Sequence, residues 1–137
     1  MMNSMVKMND EAREFVAKWN AAQALSDREE RQDAWEDLYI EFRENGMALD
    51  FHILESLAES LHRGNEMPVI TELGGCYDAE CYSEFFKEYG IDRFAFCTKS
   101  TAAVSDMVTF LKEGWEVAGT VKVKTRFDGE QEAILFK

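Results

Sequence analysis

Apolar side chains recur at steps of three and four through the first sixty residues of this chain. Ala12, Phe15, Val16, Trp19 and Ala22 make one such stripe, with Asn9 placed to cap it and Asp10 and Glu11 in its dipole-positive first turn. Ser26-Asp27-Arg28-Glu29 reads as a capping box that stops this helix and starts a second. The second helix carries Ala34, Trp35, Leu38, Tyr39 and Phe42 inward, and Asn45-Gly46 supplies its left-handed end. A third helix is predicted from about Asp50 to His62, with Ile53, Leu54, Leu57, Ala58 and Leu61 inward and Gly64-Asn65 behind it. Links this short predict that the first two helices pack as an antiparallel pair.

The period then changes. Residues 67–73 (MPVITEL) read as an edge strand or strand start, because Pro68 cannot donate to a central ladder. Gly74-Gly75 breaks the chain and is the one plausible hinge. Asp78 caps a fourth helix with an aromatic stripe, Tyr82, Phe85, Phe86 and Tyr89, closed by Gly90. Residues 94–98 form a short strand, and Ser100 caps a fifth helix carrying Val104, Met107, Val108 and Leu111, ended by Gly114. A long strand over 115–125 follows. Asp128-Gly129 is a two-residue hairpin signal of the type I′ class. Pairing outward from that turn sets Phe127 opposite Glu130, Val123 opposite Ile134 and Val121 opposite Phe136, with Lys122 and Lys124 on the other face. The expected fold is therefore α+β: an N-terminal layer of three helices packed with a C-terminal β-α-β-β unit and a small, mainly antiparallel sheet of three to four strands. One compact domain is expected over residues 1–137, with a helical part at 9–66, an α+β part at 67–137 and a frayed tail at 1–8.

Composition narrows the function classes. The 137 residues are 46% hydrophobic, enough for a core without staples. No apolar run reaches the 18 or so residues that a spanning helix needs, and residues 1–9 lack the apolar stretch of an export signal. Cys76, Cys81 and Cys97 are odd in number, and reduced thiols in a cytoplasm are the natural reading. The net charge is −12, of which −8 falls within residues 1–66. Direct binding to nucleic acid or to an anionic membrane is disfavoured, because phosphates are held by clustered Lys and Arg. A basic protein surface is attracted instead.

No motif compels a reaction. Cys76 and Cys81 lack the spacing and the second pair of a zinc site. His52 and His62 project some 80° apart and roughly 15 Å along one helix, too far to share an ion. Cys97, just before the Ser100 cap, is a candidate nucleophile because a helix N-terminus lowers a thiol pKa, but no motif ties a histidine to it. Carboxylate pairs such as Glu29-Glu30, Glu36-Asp37 and Glu80/Glu84 read as a solvated face. Gly74-Gly75 lacks the remaining residues of a phosphate loop. No cofactor and no metal are expected. Two places remain for function. One is the acidic face of the second helix, with Asp33, Glu36, Asp37, Glu41 and Glu44 as candidate protein-binding residues. The other is a pocket between the aromatic helix and the sheet, lined by Tyr82, Phe85, Phe86, Tyr89 and Cys97.

Through Gly114-Trp115-Glu116 and the closing Phe136-Lys137, residues 91–137 resemble small bacterial domains of unknown function. The longer stretch resembles uncharacterised proteins of plasmids and conjugative elements in gut Firmicutes. That resemblance implies a mobile-element context, in which small acidic proteins sometimes inhibit host defence nucleases; it brings no catalytic residue. The expectation is a non-enzymatic, cytoplasmic, acidic module that binds a protein with a basic surface. The alternatives are a small-ligand protein or enzyme using the aromatic pocket, and a homo-oligomeric structural module.

Overall fold

A computed structural model describes residues 5–71, 78–98, 103–126 and 129–137. The architecture is α+β: helices α1 (Asp10–Gln23), α2 (Arg28–Glu44) and α3 (Ala48–His62) precede strand β1 (Val69–Ile70). Helix α4 (Ala79–Glu88), strand β2 (Phe94–Phe96), helix α5 (Ala103–Lys112) and strands β3 (Val117–Thr125) and β4 (Gly129–Phe136) follow. The Gly74-Gly75 break, the Ser100 cap and Cys76 lie outside the described residues, as does the position expected for Phe127.

Local chemistry sets the helix ends. The Asn9 side chain accepts the Ala12 N–H at 2.9 Å, and that of Asp78 accepts the Cys81 N–H at 2.8 Å. The cap of α2 is Asp27, not Ser26: its carboxylate accepts the Glu29 N–H at 2.7 Å, and a charged acceptor outcompetes the hydroxyl one residue earlier. Arg31 reaches back to the carbonyls of Leu25 and Ser26 and ties down the link between α1 and α2. Helix α3 begins at Ala48, two residues before the expected start.

Phe51 of α3 joins the three helices. Its fully buried ring lies 5.5 Å from Phe15 of α1, and 5.5, 5.0 and 6.0 Å from Trp35, Tyr39 and Phe42 of α2, all edge-on. Helix α2 is the outer member: of its expected stripe Leu38 alone is fully buried, and Ala34, Trp35, Tyr39 and Phe42 are half-buried.

The sheet order is β1-β2-β4-β3, with β1 parallel to β2 and the other two pairs antiparallel. Pro68 sits just outside the edge strand β1, where its carbonyl still accepts the Ala95 N–H at 2.9 Å. The hairpin register differs from the expected one by three residues. Thr125 pairs with Gly129, Val123 with Gln131 and Val121 with Ala133, so three residues separate the strands. Gly129, the first residue of β4, adopts a left-handed φ of 65° that glycine tolerates. Phe94, Phe96 and Phe136 share one face, where the ring of Phe94 lies 4.7 Å from Phe110 of α5, 4.9 Å from Trp115 and 5.0 Å from Phe86 of α4. Ala95, Ala133 and Val123 on the other face are also buried, so both faces are covered.

Helix α5 turns a different side inward from the one expected. Phe110 and Ala103 are buried, whereas Val104 is 75% exposed and Val108 and Leu111 face solvent. The aromatic ring offers more area to bury than the branched side chains and takes the interior.

Helices and sheet share one core. The Asn65 amide accepts the Lys124 N–H at 2.8 Å and donates to the Lys124 carbonyl at 2.9 Å, a strand-like pairing on the outer edge of β3. The tail expected over residues 1–8 does not include Val6 and Lys7. The Val6 N–H bonds the Glu66 carbonyl and the Lys7 N–H bonds Asp92, each at 2.8 Å, and Val6 is buried.

Removing the ring at the centre of the sheet, Phe94→Ala, is expected to destabilise the chain by about 3–5 kcal/mol. Val104→Ala is expected to change stability by less than about 0.5 kcal/mol. Urea unfolding of the two variants beside the parent chain checks both.

Candidate functional site

The acidic residues expected on the second helix lie on α2. Asp33, Glu36, Asp37, Glu41 and Glu44 are all exposed, and among the described residues none of them forms an ion pair. At 100° per residue, Asp33, Asp37, Glu41 and Glu44 fall within roughly 80° of one another, and with Glu30 they run about 21 Å along the axis. Asn45 and Asp27 hold the two ends of the helix, so the charges sit on a regular surface.

Among the residues expected to line an aromatic pocket, Tyr82 and Phe86 meet at 5.7 Å, whereas Phe86 and Tyr89 turn apart. Phe86 and Tyr89 are buried, while Tyr82 and Phe85 are half-buried. Phe86 points to the sheet, against Phe94 and Trp115. Tyr89 turns the other way, and its hydroxyl donates to Asp50 of α3. Burial, then the bond to Asp50, then the charges of Asp50, Glu88 and Glu11 push the Tyr89 phenol far above its ordinary range, so it serves as a donor and not as a base. Cys97 is buried at the end of β2, its N–H bonded to the Ile70 carbonyl at 2.9 Å. Burial of this kind suits a packing thiol.

A third site comes from residues that periodicity alone did not join. A groove of about 220 Å³ opens where α1, α2 and α3 meet, lined by Trp19, Gln23, Trp35, Glu55, Glu59, His62 and Arg63. Glu55, Glu59 and His62 lie at i, i+4 and i+7 on α3 and so share one side of it. The Trp35 indole N–H donates to Glu55. The Trp19 ring meets His62 edge-on at 5.6 Å, and among the described residues its buried indole N–H has no hydrogen-bond partner. Burial and then the Glu55 charge push the Glu59 carboxyl above the usual range, outweighing Arg63, 3.7 Å away, and Arg126. The signal in the sequence was the run Glu55, Glu59, His62 along one side of a helix, together with two tryptophans in the helices that precede it.

A fourth cluster could hold a hard cation. Carboxylate oxygens of Glu80, Glu84 and Glu113 lie within 4.8 Å of one another, the arrangement that oxygen-seeking divalent ions use. The Lys87 ammonium, bonded to the Glu113 carbonyl, already brings a positive charge beside them.

The chain belongs to the family described as Domain of unknown function (DUF7698), whose sequence model matches residues 52–134. The match spans α3 to β4 and takes in Glu55, Glu59 and His62, while Trp19, Trp35 and the acidic face of α2 precede it. No curated protein and no solved structure matches the chain. Among the described residues, no helix is long and apolar enough to cross a membrane.

Glu59 binds its proton more tightly in the folded chain than in the unfolded one. Its contribution to stability is therefore most favourable at low pH and declines as pH rises through the ordinary carboxylate range to the raised value. Glu59→Gln is expected to unfold at higher urea than the parent at pH 7, with the difference closing as the pH falls below that range. Urea midpoints across pH 3–8, beside a carboxylate NMR titration of Glu59, check the sign.

Proposed function

We propose that the chain is a non-enzymatic binding module that recognises a protein with a basic surface through the acidic face of α2. One observation carries the reading: five exposed carboxylates on one rigid helix, without an ion pair among the described residues to neutralise them. Charges arranged in this way act over about 8–10 Å at physiological salt, and clustering sums their field at the face. Such a field raises the association rate with a basic partner and fixes its orientation more than it adds affinity. The net charge of −12 supports the same preference and disfavours nucleic acid as a direct ligand. The proposed setting is the cytoplasm of a bacterium carrying a mobile element. There, a partner with a basic nucleic-acid-binding surface, such as a defence nuclease, has the matching chemistry.

Neutralising the face (Asp33→Asn, Glu36→Gln, Asp37→Asn, Glu41→Gln, Glu44→Gln) is expected to slow association with basic partners by about tenfold or more at low salt. Near 1 M salt, where screening reaches about 3 Å, the difference should vanish. Parallel affinity purification from the native host with parent and neutralised chains identifies the partners and supplies them for rate measurements. Identical capture and identical rates for the two chains would sink the reading.

Self-association is a second reading, and one observation favours it. Val104, Val108 and Leu111 stand at i, i+4 and i+7 on the outer side of α5, and Val117 is also exposed. Under this reading, sedimentation detects a dimer that grows with concentration and is lost in Val108→Glu. A parent chain that stays monomeric at high concentration removes it.

A further inference from the structure

The groove between Trp19 and Trp35 has a composition that the acidic face of α2 lacks. Two indole rings and two carboxylates line one small concavity, beside His62 and Arg63. Rings and carboxylates together are the surroundings in which a weakly hydrated cation is bound, by attraction to the ring faces and by charge-assisted hydrogen bonds. We propose that this groove seats an arginine side chain of the basic partner, its guanidinium held by Glu55 and Glu59 against the two tryptophans. The proposal rests on the reading of the chain as an acidic binding module and names the point at which that partner is gripped.

Three features select this occupant. Glu55 and Glu59 lie one turn apart on α3, and the planar fork of a guanidinium can donate to two carboxylates at once, which a lysine ammonium does less well. Burial and then the Glu55 charge keep the Glu59 carboxyl raised despite Arg63 and Arg126, so an added cation beside the pair is favoured where an anion is not. A second groove, about 570 Å³, shares Gln23 and His62 with the first and adds Met5, Val16 and Leu61. The occupant is thus a peptide segment whose arginine has an apolar neighbour.

The test uses the full chain and two capped tripeptides, Leu-Arg-Leu and its uncharged isostere Leu-citrulline-Leu. Tryptophan emission is the readout, because Trp19 and Trp35 line the groove while Trp115 is buried on Ser83 at 2.9 Å. The arginine peptide is expected to change the emission saturably and to bind at least about tenfold tighter than the citrulline peptide. Glu59→Gln should weaken the arginine peptide by about the same factor, with circular dichroism confirming the fold. Equal binding of the two peptides, no saturable change, or full affinity in folded Glu59→Gln overturns the groove assignment. The peptide comparison decides the matter even if a variant fails to fold. The five-residue α2 variant separates the two readings. Loss of the whole partner with the tripeptide unaffected by Glu59→Gln leaves the acidic face and removes the groove. Tripeptide binding that needs Glu59, with the whole partner indifferent to α2 charge, keeps the groove and removes the face.

Discussion

Everything in this molecule depends on burying one side of α3. Phe51, Ile53, Leu54, Leu57, Ala58 and Ser60 are removed from water together and span about half the circumference of the helix. The apolar surface involved is more than a single neighbour can cover, so α1 and α2 close on it from one direction while β1 and α4 touch it from another. Phe51 in the helical layer and Phe94 in the sheet are the rings around which the two sides assemble. Ser60, the polar member of the buried set, bonds the Met67 carbonyl at 2.5 Å, so the turn out of the helix is fixed by the same burial. The other half of α3 holds Glu55, Glu59 and His62 along one polar strip. The rims of that strip are the tryptophans of the covering helices.

The groove is therefore a consequence of how α3 is covered. Two helices packed over a third leave a furrow beside the contact, and its walls are whichever side chains border the buried stripe. Here they are large rings and acids. Placing Glu55 against the Trp35 indole satisfies one donor, and the same crowding brings Glu59 close enough to feel the Glu55 charge. Trp19 buries its ring at the rim at the expense of an N–H that has no partner among the described residues, a penalty of about 1–3 kcal/mol that the packing of the indole offsets. Strain of this electrostatic kind collects where a fold has not supplied every partner for itself.

How much of this was legible depends on how local the chemistry is. Asn9, Asp78, Gly46 and Gly114 could be read as helix ends because a cap needs only its own few neighbours. The acidic face could be read because exposure follows from the apolar stripe on the opposite side of α2. Asp128-Gly129 was misread because the dipeptide serves both two- and three-residue loops, and only the pairing of Thr125 with Gly129 tells them apart. Helix α5 was misread because Val104, Val108 and Leu111 are as periodic as Ala103 and Phe110, and period says nothing about which stripe meets the sheet. Ser26 and Asp27 compete for one cap within a single residue of each other. The groove was hidden for a different reason: its walls stand at positions 19, 35 and 55–63, and no periodicity within one helix records which neighbours will border it.

On the proposed reading, the acidic face and the groove divide the work of recognition by distance. The carboxylates of α2 are exposed, so salt screens them and each contributes little once a partner has arrived. Glu55 and Glu59 are partly withdrawn from water, where a charge interaction is stronger and screening weaker. Trp35 belongs to α2 itself, so the helix that presents the long-range field also forms one wall of the short-range site. A basic segment drawn toward that helix meets the groove along the flank where α2 packs on α3. The same burial that holds α3 in place thus sets the proposed steering surface and the proposed gripping surface side by side.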